Sequence, residues 1–171
     1  MERFNFIYEQ YMPSVYRYIF LLVRNKEIAE DLTQDTFMKV YTHLQTFSNH
    51  ASIHTWIIQI ARNTTYDYFR KNKWSSLFAL KDGQVEQEIS SEQIILVKQE
   101  TYQLYDAIAS LKREYQEVII LRKINELSIE ETARILGWTE NKVKAKQQRA
   151  LKKLKEKLEM EGEFDAQSKR A

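Results

Sequence analysis

Hydrophobic positions recur every three or four residues over most of the chain, which is the period of an amphipathic α-helix. The first such stretch runs from about Phe4 to Val23, the second from Lys26 to Leu44 and the third from Ile53 to Lys71. Pro13 lies inside the first stretch, so we expect a kink or a break there. Phe47 to Ile53 lacks the period and predicts a short loop.

The helical period resumes near Ile94, continues to Leu111, and is followed by a further helix from Arg113 to Lys123. The segment between the third helix and this resumed helical pattern is acidic. Residues 76–100 hold five acidic residues against two basic ones. Such a segment has little apolar surface to bury, which predicts a flexible linker.

Two capped helices are predicted near the end of the chain. Ser128 is a good N-cap and Glu131, three residues later, can complete a capping box. Gly137 stands where a helix often ends in the left-handed conformation, and Thr139 can cap the next helix. Two short helices joined in this way indicate a helix-turn-helix, although a plain helical hairpin inside a bundle has the same pattern.

The second of these helices has an apolar stripe that includes Val143, Ala150 and Leu154, interrupted by Gln147. Its other positions are cationic or carry amides, side chains that suit phosphates and base edges. These candidate DNA-binding residues are Asn141, Lys142, Lys144, Lys146, Gln148 and Arg149.

Composition supports a helical protein. Among 171 residues, 43% are hydrophobic and only three are glycine and one proline, so a packed core is possible but a protein of many strands and tight turns is not expected. We therefore predict an all-α fold of two small helical domains, with a helix-turn-helix in the C-terminal one. The predicted division is 1–75 and 101–160 for the domains, 76–100 for the linker and 161–171 for a tail.

The same composition argues against a disulfide-bonded protein and against a membrane-spanning one. The chain has no cysteine, and its longest strongly apolar run, Tyr18 to Val23, is far too short to span a membrane. No apolar signal core follows the N-terminus, so we expect a cytoplasmic protein.

Charge is unevenly distributed along the chain. The formal net charge is only +2, but eight basic residues lie between Lys142 and Lys157 and only Glu156 opposes them there. A cationic helix of this kind predicts a polyanionic partner.

Catalytic and metal chemistry find no support. His43, His50 and His54 lack the spacing of a zinc site, and there is no phosphate-binding glycine loop or nucleophile motif. We predict no enzyme activity, no metal and no cofactor. The carboxylates on the second helix are better explained as a solvated face or a surface that docks a protein.

The third helix combines aromatic rings with amides and cations, which can stack and hold unpaired bases. Aromatic residues at helical spacing are more often core, so we assign Trp56 and Tyr68 to the core. Asn63, Arg70 and Lys71 remain candidates for contact with nucleic acid.

Several segments together resemble a known family. Ala29 to Phe37 (AEDLTQDTF), Thr55 to Asn63 (TWIIQIARN) and Asp67 to Lys71 (DYFRK) are similar to domain two of the bacterial extracytoplasmic-function (ECF) sigma factors. Ser128 to Leu136 and Gly137 to Lys146 are similar to domain four of the same family. The resemblance covers about residues 3–158, with both blocks in the family's order.

This resemblance implies a function and a set of partners. The protein would join core RNA polymerase, through the β′ clamp helices and the β flap, and direct it to promoter DNA. It would be a monomer when free, and a dedicated anti-sigma factor, often membrane-bound in this family, would hold it inactive.

The resemblance also implies site residues. The second helix would dock on polymerase through Glu30, Asp31, Gln34, Asp35 and Phe37. The melted −10 strand would be captured by Ser48, Asn49, His50, Asn63, Arg70 and Lys71. The −35 duplex would be read by the six candidate residues that follow the helix-turn-helix glycine.

Two alternatives stay open on the residues alone. One is a helix-turn-helix transcription regulator whose N-terminal part serves dimerisation or sensing, which predicts a stable homodimer on palindromic duplex DNA. The other is a nucleic-acid enzyme, which would need a cluster of metal-binding carboxylates or a nucleophile.

Overall fold

The computed structural model describes residues 2–48, 51–78 and 99–168, and throughout this part of the chain the regular structure is helical. The all-α prediction is confirmed. The chain divides into two compact units, Met1–Ile89 and Ser90–Ala171. Helices α1 (Glu2–Val23), α2 (Lys26–His43) and α3 (Ile53–Phe78) belong to the first unit, and α4 (Gln99–Ala109), α5 (Arg113–Ile119), α6 (Ile129–Leu136) and α7 (Glu140–Ser168) to the second.

In the first unit each of α1, α2 and α3 packs against the other two. The core they share includes fully buried residues from all three helices, among them Val15, Ile19, Val40, Ile57 and Ile58. Pro13 does not interrupt α1, which is continuous from Glu2 to Val23, so the expected break is absent. Pro13 lies on the exposed face, where a carbonyl that loses its helical partner can turn to water.

The corner between α1 and α2 is turned without glycine. Arg24 has a φ of 55°, in the left-handed region that non-glycine residues seldom adopt. Asn25 then caps α2, because its side-chain oxygen accepts a hydrogen bond of 2.9 Å from the Ile28 N–H. Buried hydroxyls within α2 are satisfied by the preceding turn: Thr36 donates to the Leu32 carbonyl at 2.7 Å.

The buried face of α3 differs from the prediction. Its most buried residues are Thr55, Ile57, Ile58, Ala61, Thr64 and Thr65. Trp56 and Tyr68 are only half-buried, so their assignment to the core was wrong. Trp56 instead packs its ring on Phe47, with 4.9 Å between ring centroids, and covers the edge of the unit. The apolar pattern predicted that a helix is present, but it did not predict which side of the helix faces the core. Small buried threonines take core positions that large aromatics were expected to fill.

In the second unit α7 is the central helix, since α4, α5 and α6 all pack on it. Helix α5 continues directly into a π-helical turn, Ile120–Ile124. Glu126, with a φ of 57°, turns the chain towards α6. Val118, Ile119, Ile120 and Leu121 are all buried and form the centre of this core.

The helix-turn-helix is present, with the predicted caps. Ser128 and Glu131 form a complete capping box at the start of α6. Gly137 ends α6 in the left-handed conformation with a φ of 66°. Thr139 then caps α7, where its hydroxyl accepts a hydrogen bond of 3.2 Å from the Lys142 N–H. Helix α7 extends to Ser168, well into the predicted tail.

Candidate nucleic-acid and partner-binding surfaces

The start of α7 separates its apolar and polar residues onto two faces. Val143 and Ala150 are completely buried. Five of the six predicted DNA-binding side chains are exposed: Asn141, Lys142, Lys144, Gln148 and Arg149. The helix therefore presents a coherent polar face, which we call the recognition face and define by these five residues.

Two of its lysines are oriented by neighbours within the first turns. The Lys142 ammonium lies 4.2 Å from the centroid of the Trp138 ring, a cation–π contact. The Lys144 ammonium lies 4.0 Å from a carboxylate oxygen of Glu140. Both contacts are at the surface, so the ammonium groups stay accessible to a phosphate.

Lys146, the sixth predicted residue, points elsewhere. Its ammonium donates a hydrogen bond to the carboxylate of Glu114 in the first turn of α5, and it lies 5.4 Å from the centroid of the Tyr115 ring. Only 21% of the Lys146 side chain is exposed, compared with 56% for Lys144. The sequence pattern did not separate Lys146 from the recognition face, because its partners lie about thirty residues earlier.

Gln147, which interrupts the apolar stripe, has a structural partner. Its side-chain oxygen accepts a hydrogen bond of 2.8 Å from the Nε–H of Arg122, in the π-helical turn after α5. The same guanidinium also donates to the backbone carbonyl of Leu127, just before α6. Arg122 thus ties three parts of the second unit together, a role that sequence reasoning missed.

In the first unit, α3 carries the remaining candidates for nucleic-acid contact. Asn63, Arg70 and Lys71 are all exposed. Asn63 accepts a hydrogen bond of 3.1 Å from Gln59, and Arg70 forms an ion pair with Asp67 one turn earlier. Asn63 and Arg70 are seven residues apart, so they lie on one face of the helix.

The same face has aromatic neighbours, which belong to the group of aromatic, amide and basic residues noted in the sequence of this helix. The Arg62 guanidinium lies 4.5 Å from the centroid of the Tyr66 ring, and Tyr66 meets Phe69 edge to face at 5.9 Å. A guanidinium and two rings in sequence along a helix form a surface on which unstacked bases can pack.

The loop before α3 holds the other predicted residues. Ser48 is exposed, whereas Asn49 and His50 lie outside the described residues. The start of α3 is held firmly: the Ser52 hydroxyl accepts from the Thr55 N–H at 3.1 Å. His54 is 2.8 Å from the Ser14 hydroxyl and stacks on Tyr11 of α1.

An apolar hollow opens beside this loop. It is bounded by residues of α1 on one side and of the loop and the start of α3 on the other. The largest of the apolar side chains lining it are Phe6, Ile7, Phe47 and Ile53. Phe6 is 65% exposed, which is unusual for phenylalanine and leaves its ring available to a ligand.

The predicted polymerase-binding residues divide between surface and core. Glu30, Asp31, Gln34 and Asp35 are exposed on α2 and form an acidic surface. Phe37 is only 3% exposed and packs against Tyr8 of α1, with 4.8 Å between ring centroids.

Exposed apolar residues extend this acidic surface, and sequence reasoning missed them. Met38 is 66% exposed and Tyr41 is 54% exposed. They follow Gln34 by four and seven residues, so helical spacing alone could have placed them on the same face.

None of the helices in the described residues is long and apolar enough to cross a membrane. In the same ranges, no group of three or more histidine and acidic residues is placed to hold a metal ion.

Comparison with known proteins places both units in described families. Residues 7–75 match the family described as Sigma-70 region 2, and residues 101–154 match Sigma-70, region 4. The chain is 31% identical over 165 residues to the ECF RNA polymerase sigma factor SigX of Bacillus subtilis, covering 93% of this chain and 85% of that protein. It is 37% identical over 161 residues to the RNA polymerase sigma factor YlaC of the same organism, covering 89% and 90%.

Among solved structures, the chain is similar to the sigma factor RpoE from Bartonella quintana, in its complex with the anti-sigma factor NepR. The TM-score is 0.76 over 93% of this chain and 98% of that one. At 23% identity this likeness concerns the fold alone.

Proposed function

The chain belongs to the ECF sigma factors of the sigma-70 family, and on that premise we propose how its surfaces divide the work of promoter recognition. A sigma factor acts in transcription initiation by directing polymerase to promoters. Residues 101–160 serve as the domain that reads the −35 duplex, residues 1–75 as the domain that captures the −10 strand and docks on core polymerase, and residues 76–100 as the linker. The match of residues 7–75 to Sigma-70 region 2 removes the support for a regulator with an N-terminal sensor.

The recognition face is the observation on which the assignment of the −35 duplex to this helix rests. It presents two amides and three cations on one side of a helix whose other side is buried, which suits insertion into the major groove. Lys146 is left out of this set, because its ammonium is bonded to Glu114. We expect Gln148 and Arg149 to read bases, while Lys142 and Lys144 hold phosphates.

The −10 strand is assigned to the first unit. Unpaired bases would stack along the face of α3 that carries Tyr66 and Phe69, with Asn63, Arg70 and Lys71 beside the backbone. The hollow lined by Phe6 and Phe47 is open to a base that leaves the stack. Ser48, Asn49 and His50 complete this proposed set.

The acidic surface of α2 is assigned to polymerase, on the β′ clamp helices. Glu30, Asp31, Gln34 and Asp35 supply its charge and hydrogen bonds, and Met38 and Tyr41 supply apolar area next to them. Phe37 supports this surface from below, because its ring is buried against α1. The second unit is assigned to the β flap of polymerase.

The remaining partners follow from the same premise. The sigma factor RpoE, which has a similar fold, has been solved with the anti-sigma factor NepR. We expect an anti-sigma factor to hold this chain inactive by covering its polymerase-binding surface. The free protein is then a cytoplasmic monomer that binds duplex DNA weakly, since two weak readers gain affinity only when polymerase holds both of them.

Run-off transcription with bacterial core polymerase on a promoter library tests the function. New start sites preceded by shared −35 and −10 elements support it. If the protein neither binds core polymerase nor yields new transcripts, the function is wrong.

Arg149→Ala tests the recognition face. We expect initiation from promoters that depend on the −35 element to fall about tenfold or more, because a base contact is worth about 1–3 kcal/mol. Binding to core polymerase should be unchanged. Lys153→Ala, an exposed change further along the same helix, is the matched control; equal losses in both variants would contradict the assignment.

Asp31→Ala combined with Gln34→Ala tests the polymerase surface. We expect affinity for core polymerase to fall at least severalfold, because both side chains are exposed on the proposed docking face. Glu9→Ala, an exposed acidic change on α1, serves as the control. If core affinity of the double variant equals that of the control, the surface lies elsewhere.

A further inference from the structure

One acidic residue lies among the lysines of the DNA-binding unit. Glu114 is in the first turn of α5, and its carboxylate accepts a hydrogen bond from the Lys146 ammonium on α7. Half of the Glu114 side chain is exposed (52%), whereas 21% of the Lys146 side chain is. The ion pair therefore lies at the surface, but most of the Lys146 side chain is covered.

The surroundings of Glu114 are strongly cationic. The hydrogen bond from Lys146 is the largest cause that holds the pKa of the Glu114 carboxyl below its usual range; desolvation opposes it, and the charges of Lys146, Lys142 and Lys112 lower the pKa further. One of these lysines, Lys142, belongs to the recognition face. The Glu114 carboxylate therefore lies among lysines that could otherwise bind a DNA phosphate.

Carboxylate and phosphate oxygens compete for the same donors. A lysine that pairs with a phosphate releases a counterion from the DNA, and this release supplies much of the affinity for any duplex, whatever its sequence. A lysine whose ammonium is hydrogen-bonded to a carboxylate and largely covered, as Lys146 is, must give up that partner before it can release a counterion in this way. Phosphate contacts fix the position of a protein on DNA but carry no direct sequence information.

We propose that Glu114 is a specificity-determining residue, which withholds Lys146 from the DNA backbone by supplying a carboxylate in place of a phosphate. The proposal rests on the assignment of α7 to the −35 duplex. Its consequence is that binding to random DNA is lowered while base contacts by Gln148 and Arg149 are retained. The ratio of promoter binding to non-specific binding is thereby raised.

The test is a salt series on the full-length chain, with a double-stranded oligonucleotide of mixed sequence as the probe. Glu114→Gln keeps the shape of the side chain but removes its charge, so Lys146 becomes free to bind phosphate. Each added phosphate contact steepens the slope of log affinity against log salt by about 0.9, so this variant should lose about three- to fourfold more affinity than wild type between about 50 and about 200 mM salt. At low salt it should bind the probe more tightly than wild type does.

A matched control separates this effect from a general change of charge. Glu130→Gln removes the same charge from the same unit, where Glu130 pairs with Arg134 within α6 rather than with a lysine of α7. The inference is overturned if Glu130→Gln steepens the slope as much as Glu114→Gln does.

Lys146→Gln, made both in the wild-type protein and in the Glu114→Gln variant, completes a double-mutant cycle. We expect it to flatten the slope far more in the Glu114→Gln protein than in wild type, because only there is Lys146 bound to phosphate. Equal effects in the two backgrounds would refute the proposal, because contact between Lys146 and DNA would then not depend on Glu114. Absence of duplex binding by every variant, even at low salt, would refute it as well.

Failure of this inference can be told from failure of the proposed function. Run-off transcription by wild type with core polymerase reports on the function, and it does not depend on the charge of Glu114. If wild type initiates transcription at defined promoters and Glu114→Gln leaves the salt slope unchanged, only the role of Glu114 is wrong.

Discussion

Gly137 shows how much a single residue determines at the turn between α6 and α7. Its φ of 66° is in the left-handed region, and a Cβ placed on it would meet no atom within 4 Å. The need for glycine is therefore conformational and not steric. This position could be predicted from the sequence, because the signal is local: a glycine directly after an apolar helical stripe.

Gly137→Ala should destabilise the second unit by about 1–2 kcal/mol, the cost of holding a side chain with a Cβ in the left-handed region. Gly137→Asn should cost less, because asparagine adopts this conformation more readily. Amide hydrogen exchange in α6 and α7 measures both. Equal losses of protection for the two variants would contradict a purely conformational role.

Other residues could not be placed from sequence, for an equally physical reason. The Ser128–Glu131 capping box was predicted because both partners lie within one turn. Gln147 was left unexplained because its partner, Arg122, is 25 residues earlier and meets it only after the unit folds. Phe37 was assigned to the polymerase surface from the family resemblance, whereas its ring is buried and packs on the ring of Tyr8 from another helix.

At the scale of elements, the second unit depends on how α7 is held against its neighbours. The apolar face of α7 fixes which side is buried, but it leaves the helix free to slide or turn slightly. The Arg122–Gln147 hydrogen bond restricts that freedom, because it joins the π-helical turn to a half-buried residue within the apolar stripe of α7. The π-helical turn itself had no signal in the sequence, where Arg113 to Lys123 was predicted as one helix.

Gln147→Ala should therefore destabilise the second unit by about 1–3 kcal/mol, since it leaves a half-buried guanidinium without one acceptor. Denaturant unfolding with hydrogen exchange in α7 measures the loss. Gln148→Ala, at the exposed neighbouring position, is the control for stability and should change it little. If the two variants unfold alike, the hydrogen bond contributes nothing to holding α7.

At the scale of the whole molecule, the chain builds two cores instead of one. Each unit buries its own apolar residues, Ile57 and Ile58 in the first and Ile119 to Leu121 in the second. The sequence predicted this division, because helical periodicity fades and acidic residues accumulate between residues 76 and 100. It did not predict where helices end: α3 extends to Phe78, past the predicted end at Lys71, and α7 extends to Ser168, within the predicted tail.

Two core substitutions test the independence of the units. Ile57→Ala and Leu121→Ala each remove a fully buried side chain, and each should cost about 2–5 kcal/mol in its own unit. We expect Ile57→Ala to reduce amide protection in α1 to α3 only, and Leu121→Ala in α4 to α7 only. Loss of protection in both units from either change would show that they unfold together.

The corners at Arg24 and Glu126 have a consequence for engineering. Both residues hold left-handed backbone without being glycine, a conformation that costs about 1–3 kcal/mol at each such position. Neither residue belongs to a surface assigned to DNA or polymerase. Glycine at these two corners would relieve that strain, offset by about 0.4–1 kcal/mol at each for the added freedom of the unfolded chain, so the net gain would give a more heat-resistant promoter-specificity factor without redesigning anything it recognises.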